Sequence, residues 1–254
     1  SQAIKKGATF CVVSKKNKKN SKYIRVKNTM NFLKELAKKK RDTSLAKFVA
    51  VTGSSGKTTV KTMLGNLLQK YSKTYFSPES YNNQYGVPLS ICNIKTNDNY
   101  CVQEVGMNKF KEIDNLSSIV RPHIGIITNI SEAHLENFRN IKDIAKAKSE
   151  IIYNIEKSGT IILNRDDKFF NYFKKIADKN NLKVKTFGYS KKSDIKFINL
   201  KRNQGSFLLC LSMCKKKIFL QINNRNKNNI MNILLCIAVI NELNLDLTKL
   251  KKFF

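Results

Sequence analysis

A short loop with two glycines, set between an apolar run and an amphipathic segment, limits the folds open to this chain more than any other feature. The apolar run is residues 48–51, and the loop at residues 52–59 reads Thr-Gly-Ser-Ser-Gly-Lys-Thr-Thr. After it, Val60, Leu64 and Leu67 recur at helical spacing. A buried strand, a glycine turn and a helix N-terminus in this order are typical of a phosphate-binding loop in a parallel α/β sheet.

The residue types of the loop predict that it binds ATP with magnesium. Glycines let backbone N–H groups turn toward phosphate oxygens, and the helix N-terminus adds a positive dipole end. The lysine is expected to reach the β- and γ-phosphates, and the threonine after it to ligate Mg²⁺. A Gly-Ser turn that precedes Lys-Thr by chance is the alternative, and the flanking strand and helix disfavour it. The predicted ATP contacts are Gly53, Ser54, Ser55, Gly56, Lys57, Thr58 and Thr59.

Segments with strand and helix patterns alternate along the rest of the chain. Strands are predicted at 10–13, 23–26, 100–105, 124–130, 160–163 and 184–187, a hairpin at 206–212 and 218–222, and helices at 31–40, 141–155 and 230–243. The polar residues 38–44 are interpreted as a linker. The expected fold is α/β, with a mostly parallel sheet flanked by helices over residues 46–254, preceded by part of a small α/β domain at residues 1–45.

Polar residues at the predicted strand ends are candidates for a metal site. Glu104 lies at the end of one strand and His134 follows another, so both are expected at the carboxyl edge of the sheet, where ligands bind. A carboxylate there can hold Mg²⁺, although a solvated glutamate is the plain alternative. His134 could equally be structural. His123 precedes its strand at the opposite edge and is interpreted as structural.

Lys148 interrupts an apolar stripe. It lies on one helical face with Ile141, Ile144, Ile151 and Ile155, which points that face to the core. A buried, unpaired ammonium is costly. The side chain can therefore extend to solvent, shift its pKa, pair with an acid or be chemically modified, and the spacing alone leaves these alternatives open.

Composition bears on the class of partner. The formal charge of +30 raises nucleic-acid binding, but lysines are spread along the whole chain and no nucleic-acid-binding motif is present, so no nucleic-acid partner is expected. No apolar run approaches the ~20 residues of a membrane-spanning helix. The six cysteines form no C-x-x-C pair, which favours reduced thiols in a cytoplasmic protein.

The motifs as a set resemble the Mur ligase family, the ATP-dependent amide-forming enzymes of peptidoglycan synthesis. The phosphate loop has that family's form, with Val51 where the general motif has its first glycine. Further segments resemble the branch that adds D-alanyl-D-alanine: 82–88 (Asn-Asn-Gln-Tyr-Gly-Val-Pro), 104–108, 121–123, 128–130, 133–138, 145–151 and 164–167.

The resemblance implies roles for these residues. Lys57 and Thr58 would handle the phosphates and a first Mg²⁺, which Glu104 also ligates, and His134 would belong to a second Mg²⁺ site. Lys148 matches a lysine that is carbamylated in the family, giving an anionic group able to hold that second metal. The matching asparagines are Asn82 and Asn83, facing UDP-MurNAc-tripeptide, and Asn229 and Asn232, near adenine.

The reaction that the resemblance implies joins D-Ala-D-Ala to UDP-MurNAc-tripeptide through an acyl phosphate, in a monomer. Glu79 and Ser80 depart from the Gly-Asn that is usual there, and Asn226 and Asn228 from Gly and His. The family's C-terminal domain is expected to be absent, so the chain is expected to be inactive alone. The alternatives are a sister ligase, a folylpolyglutamate synthase-like ligase, a non-catalytic nucleotide-binding remnant and a basic nucleic-acid-binding protein.

Overall fold

The chain folds around one nine-stranded sheet. The computed structural model describes residues 2–15, 21–132, 137–203, 205–214 and 216–250. The strands are β1 Cys11–Val13, β2 Tyr23–Arg25, β3 Lys47–Thr52, β4 Thr74–Phe76, β5 Tyr100–Glu104, β6 Ile124–Ile127, β7 Thr160–Asn164, β8 Lys183–Gly188, β9 Ile195–Asn203, β10 Ser206–Met213 and β11 Lys216–Ile222. The large sheet has the order β11-β10-β9-β8-β7-β6-β3-β5-β4, and β1 and β2 form a separate parallel pair.

Most of the large sheet is parallel, as the alternating pattern predicts. Pairing is parallel from β4 through β9, and only β9-β10 and β10-β11 are antiparallel. The predicted hairpin is confirmed as β10-β11. The strand β3 lies between β5 and β6, so the ends of these three strands meet beside the phosphate loop. This arrangement confirms the predicted α/β class and places the loop at the carboxyl edge of the sheet.

Helices cover both faces of the sheet because successive strand residues point to opposite sides. Phe48 and Ala50 of β3 belong to one apolar cluster, and Val49 and Val51 to the other. The helices are α1 Gln2–Lys5, α2 Thr29–Thr43, α3 Lys57–Gln69, α4 Gly86–Cys92, α5 Glu112–Val120, α6 Ile141–Ser149, α7 Phe170–Lys179 and α8 Lys227–Glu242. The first cluster takes residues of α2, α4, α5, α6 and α7, and the second takes those of α3 and α8. In the part of the chain described here, no helix combines the length and apolarity needed to cross a membrane.

The interpretation of residues 38–44 as a linker is wrong, because α2 continues to Thr43. Ala37 and Arg41, one turn apart, are both buried. The Arg41 guanidinium lies 4.1 Å from the centre of the Phe48 ring, and its Nε donates to the Val120 carbonyl at 2.7 Å. Burial of these side chains extends the helix through residues that the sequence shows only as polar.

The predicted helix at 141–155 divides into two elements. The α-helix α6 ends at Ser149, and a 3-10 helix follows at Glu150–Asn154. The buried stripe nevertheless holds: Ile144, Lys148 and Ile151 are each at most 1% exposed. The change of helix type therefore leaves Lys148 on the core side, as the spacing predicts.

Candidate active site

The phosphate loop requires both of its glycines. Gly53 has a φ of 148°, and a Cβ built there would lie 1.9 Å from the Thr128 hydroxyl oxygen. Gly56 has a φ of 80°, and a Cβ there would lie 3.3 Å from the side-chain oxygen of Asn232. Any larger residue would therefore be strained at both positions and would clash with Thr128 at the first.

The residues that follow β6 hold the loop from the side. Asn129 accepts the Ser54 N–H on its carbonyl at 2.9 Å and the Ser55 N–H on its side chain at 3.0 Å. The Thr128 hydroxyl donates to the Ser55 carbonyl at 2.7 Å. Two loop amides are thus occupied by the protein. The first turn of α3 has no side-chain cap, so its N–H groups are the ones open to an anion.

Thr58 and Glu104 meet at the end of this loop. The Thr58 hydroxyl donates to one carboxylate oxygen of Glu104 at 2.8 Å, and the Asn82 side-chain amide donates to the other at 2.7 Å. Glu104 is 1% exposed. A hydroxyl, a carboxylate and an amide oxygen fit Mg²⁺, which takes oxygen ligands and few protein groups. Across the described ranges no three His, Cys, Asp or Glu side chains come together, as a zinc-type site would require.

Two lysines face this group. Lys57 folds back over the loop, and its ammonium donates to the Gly53 carbonyl at 3.0 Å. Burial lowers the pKa of Lys57, and the nearby Glu104 carboxylate opposes that shift. Lys148 is 1% exposed, and its ammonium has no hydrogen-bond or ion-pair partner within the described ranges. Burial, and secondly the charge of Lys57, lower the pKa of Lys148 to about 7.

These side chains line one cleft of about 760 Å³. The structure brings Lys57, Thr58, Glu104 and Lys148 together there, with Asn82 bonded to Glu104 and Asn83 next to it in the same lining. The Asn83 side chain also accepts the N–H groups that begin α4, at 3.0 and 2.9 Å. Away from the loop, the cleft continues along Lys34, Gln84, Asn108, Lys109 and Asn115. Met107, Leu116 and Ile119 line the cleft as well, so polar and apolar groups both border the space beyond the phosphate loop.

The other predicted site residues have varied positions. Asn232 lies against Gly56, whereas the Asn229 amide donates to the Asn224 carbonyl at 3.1 Å in the turn before α8. His134 lies outside the described residues. His123 accepts the Phe48 N–H on Nδ1 at 3.0 Å, and burial lowers its pKa to about 4. The structural interpretation of His123 therefore holds.

Lys61 is a buried cation that the sequence analysis missed. It is 1% exposed, and its ammonium donates to the carbonyls of Ser77, at 2.6 Å, and Glu79. A signal was present, because Lys61 shares a helical face with Leu64 and Leu68. The same reasoning that identified Lys148 as buried would have found it.

A family profile and individual relatives both match this chain to the same protein family. The family profile described as "Mur ligase middle domain" matches residues 51–240. A "UDP-N-acetylmuramoyl-tripeptide--D-alanyl-D-alanine ligase" of Rickettsia prowazekii is 39% identical over 199 residues, which are 77% of this chain and 44% of that protein.

Two solved structures share the fold over 98% of the chain. A MurF crystal structure from Acinetobacter baumannii has a TM-score of 0.89 at 28% identity, and 55% of it is covered. MurF of Thermotoga maritima in complex with ADP has a TM-score of 0.86 at 26% identity, and 58% of it is covered. The chain thus spans about half the length of the proteins it matches.

Proposed function

This chain belongs to the Mur ligase family, and from that premise we propose that it is the ATP-binding part of a ligase that adds D-Ala-D-Ala to UDP-MurNAc-tripeptide. The observation that carries the proposal is the contact between the Thr58 hydroxyl and the buried Glu104 carboxylate beside the phosphate loop. It supplies metal-binding oxygens where the terminal phosphates of a nucleotide on the loop would lie. The names of the Rickettsia and Acinetobacter relatives support the choice of reaction.

Different residues of the cleft would bind different parts of the reactants. The open N–H groups of residues 57–59 and the Lys57 ammonium would bind the phosphates. Thr58 and Glu104 would hold Mg²⁺, which supplies charge neutralisation when it is bound. Asn82 and Asn83 would face the muramoyl peptide, and Asn229 and Asn232 the adenine side. His134 is proposed for a second Mg²⁺ site.

The chemistry needs a carboxylate held close to the γ-phosphate. A carboxylate oxygen of the tripeptide attacks the γ-phosphorus, the bond to the ADP oxygen breaks, and an acyl phosphate forms. The amine of D-Ala-D-Ala then attacks the acyl carbon, phosphate leaves, and the amine proton passes to solvent. The protein residues position the reactants and balance their charge, which is the main contribution in phosphoryl transfer.

Lys148 is proposed to carry a carbamate. Its neutral amine nitrogen would attack the carbon of dissolved CO₂, form a C–N bond and lose one proton, which leaves an anionic carboxylate-like group. A buried amine with no partner in the described ranges and a pKa of about 7 is partly neutral at physiological pH, as this step requires. The carbamate would contribute an oxygen ligand to the second Mg²⁺.

This modification is tested without any measurement of activity. Equilibration of the chain with ¹³C-labelled CO₂ should give a carbamate carbon resonance that Lys148→Met abolishes and the exposed-site variant Lys175→Met keeps. Equal resonances in the wild-type chain and Lys148→Met would contradict the carbamate.

We also propose a domain division, a location and an oligomeric state for the protein. Residues 1–45 are proposed to be part of a uridine-nucleotide domain, residues 46–254 to be the ATP domain, and the protein to be a cytoplasmic monomer. A sister ligase that adds another amino acid is the second candidate, because the phosphate loop and Glu104 are not specific to D-Ala-D-Ala. The segment at 82–88, whose residues 82–85 line the cleft, favours the D-Ala-D-Ala reaction.

A calorimetric titration of this chain with ATP tests the nucleotide site. Binding should require Mg²⁺, and Lys57→Met should weaken it by about tenfold to a hundredfold, because a charged hydrogen-bond donor is lost. Lys175→Met, on the exposed face of α7, is the matched control. Binding of equal strength without Mg²⁺, or in Lys57→Met, would overturn the site.

The choice of substrate is tested by ADP release from the full-length protein. Release with UDP-MurNAc-tripeptide should depend on added D-Ala-D-Ala. Release that is supported equally by a single amino acid would favour the sister-ligase alternative.

A further inference from the structure

Lys61 is buried like a core residue, but its ammonium forms hydrogen bonds with a turn of the main chain. Its ammonium donates to the carbonyls of Ser77 and Glu79, and no carboxylate in the described ranges pairs with it. Within these ranges, the other hydrogen bonds of the Ser77–Glu79 turn all join main-chain groups. A methionine of similar size could fill the same space, so packing alone does not call for a cation here.

The second acceptor belongs to a strained residue. Glu79 has a φ of 42°, in the left-handed region that favours glycine. Its own side chain is exposed. The Lys61 bond therefore opposes the tendency of this turn to relax to an ordinary backbone conformation.

The turn continues into residues that touch the metal-binding pair. The Ser80 hydroxyl lies 3.3 Å from the Thr58 hydroxyl, and the Asn82 amide donates to Glu104 at 2.7 Å. Asn82 is also held by its carbonyl, which accepts the Gly106 N–H at 2.8 Å. The position of residues 80–82 thus defines one wall of the proposed magnesium site.

We propose that Lys61 is a positioning residue: by fixing the Ser77 and Glu79 carbonyls, it keeps Ser80 and Asn82 against Thr58 and Glu104. Among the described residues, Lys61 is linked to Thr58 and Glu104 by hydrogen bonds that run through the turn. The link between this turn and magnesium rests on the proposed function, whereas the link between Lys61 and the turn does not.

Hydrogen exchange of the chain without nucleotide tests the positioning itself. Lys61→Met should raise exchange of the amides at 77–82 by about tenfold or more, because the Ser77 and Glu79 carbonyls lose their donor. In Lys61→Met/Glu79→Gly the increase should shrink, since glycine adopts the left-handed conformation without strain. Glu79→Gln in the same background removes the charge of Glu79 but keeps the strain, and should give no rescue.

These variants separate positioning from a general loss of stability or a field effect. Uniform exchange across α3, β5 and the turn in Lys61→Met would overturn the proposal, and so would equal rescue by glycine and glutamine. Lys175→Met should leave the exchange of residues 77–82 unchanged.

The consequence for the site is measured by the Mg²⁺ concentration at half-maximal ATP binding. Lys61→Met should raise it by about tenfold, and the Glu79→Gly double variant should recover most of that loss. An unchanged Mg²⁺ requirement together with increased exchange in the turn would overturn the role in metal positioning. If the wild-type chain does not bind ATP with Mg²⁺, the proposed function fails, and the exchange result still decides whether Lys61 holds the turn.

Discussion

The regions around Lys61 and Lys148 bury a lysine to the same degree but differ in the hydrogen-bond acceptors that they offer to its ammonium. Each side chain is 1% exposed. The Lys61 ammonium has two carbonyl acceptors, whereas the Lys148 ammonium has no partner in the described ranges. Burial lowers both pKa values, but nearby Glu104 and Glu79 oppose the shift at Lys61, and at Lys148 the charge of Lys57 adds to it.

The difference separates a cation with a structural bond from an amine available for chemistry. When a buried ammonium donates to carbonyls, replacing the lysine removes those hydrogen bonds and leaves the carbonyls without a donor. A buried ammonium without acceptors instead opposes folding, and its replacement removes a cost. The same substitution, lysine to methionine, is therefore expected to have opposite signs in the two regions.

The largest expected effect is the pH dependence of stability from Lys148. The folded chain holds its pKa at about 7, against 10.5 ordinarily, so between these values the unfolded chain binds more protons. The free energy of unfolding should thus rise from pH 7 toward 10.5, relative to Lys148→Met, by on the order of 4 kcal/mol. Denaturant titrations in metal-free, CO₂-free buffer at pH 7 and 10 measure the difference. Parallel pH profiles for the two proteins would show that the Lys148 ammonium has a partner.

Arg41 extends the comparison to a third buried cation. Its guanidinium donates to the Val120 and Arg121 carbonyls, at 2.7 and 2.6 Å, and to the Glu156 carboxylate at 3.3 Å, so it has acceptors as Lys61 does and Lys148 does not. Arg41→Met should lower the free energy of unfolding by about 3 kcal/mol, since the bonds to two carbonyls, the ion pair with Glu156 and the contact with Phe48 are lost. Chemical denaturation measures this loss, and Lys39→Met, on the exposed side of α2, is the control. A decrease in the free energy of unfolding of less than about 1 kcal/mol would mean that Arg41 stabilises the fold no more than an exposed cation does.

Lys61→Met should lower the free energy of unfolding by about 2 kcal/mol at pH 7, because the Ser77 and Glu79 carbonyls lose their donor. Lys148→Met under the same conditions should raise it. Paired denaturant curves of the two variants give the sign directly. If both substitutions stabilise the chain, hydrogen bonding does not distinguish the two regions.

The smallest expected effect is at Glu79. Glu79→Gly should stabilise the chain by about 1 kcal/mol, because glycine adopts its positive φ without strain. Ser80→Gly, at the next residue, where φ is not positive, should instead destabilise it. Thermal unfolding of both variants measures the contrast, and equal shifts would mean that the strain at Glu79 is negligible.

The sequence predicted the parts of the molecule that rest on local periodicity. The phosphate loop, the burial of Lys148 and the β10-β11 hairpin follow from spacing, and each is found in the structure. The short strand β4 and the helix α4 were missed, because three and seven residues are too few for a clear period.

Contacts between distant segments were beyond the reach of the sequence pattern. Thr128 and Asn129 support the loop only because β6 lies beside β3, which the order of strands along the chain does not reveal. The linker interpretation of residues 38–44 failed for the same reason, since the acceptors of Arg41 lie about 80 residues away. The role of His134 stays a prediction.

The Arg41 bonds also determine where the chain can bend. They join the last turn of the fifteen-residue helix α2 to the end of α5, which packs against one face of the nine-stranded sheet. A hinge at residues 42–44 that turns α2 away from α5 would have to break those bonds. A bend between the β1-β2 pair and the cleft that keeps those bonds therefore lies on the N-terminal side of Arg41.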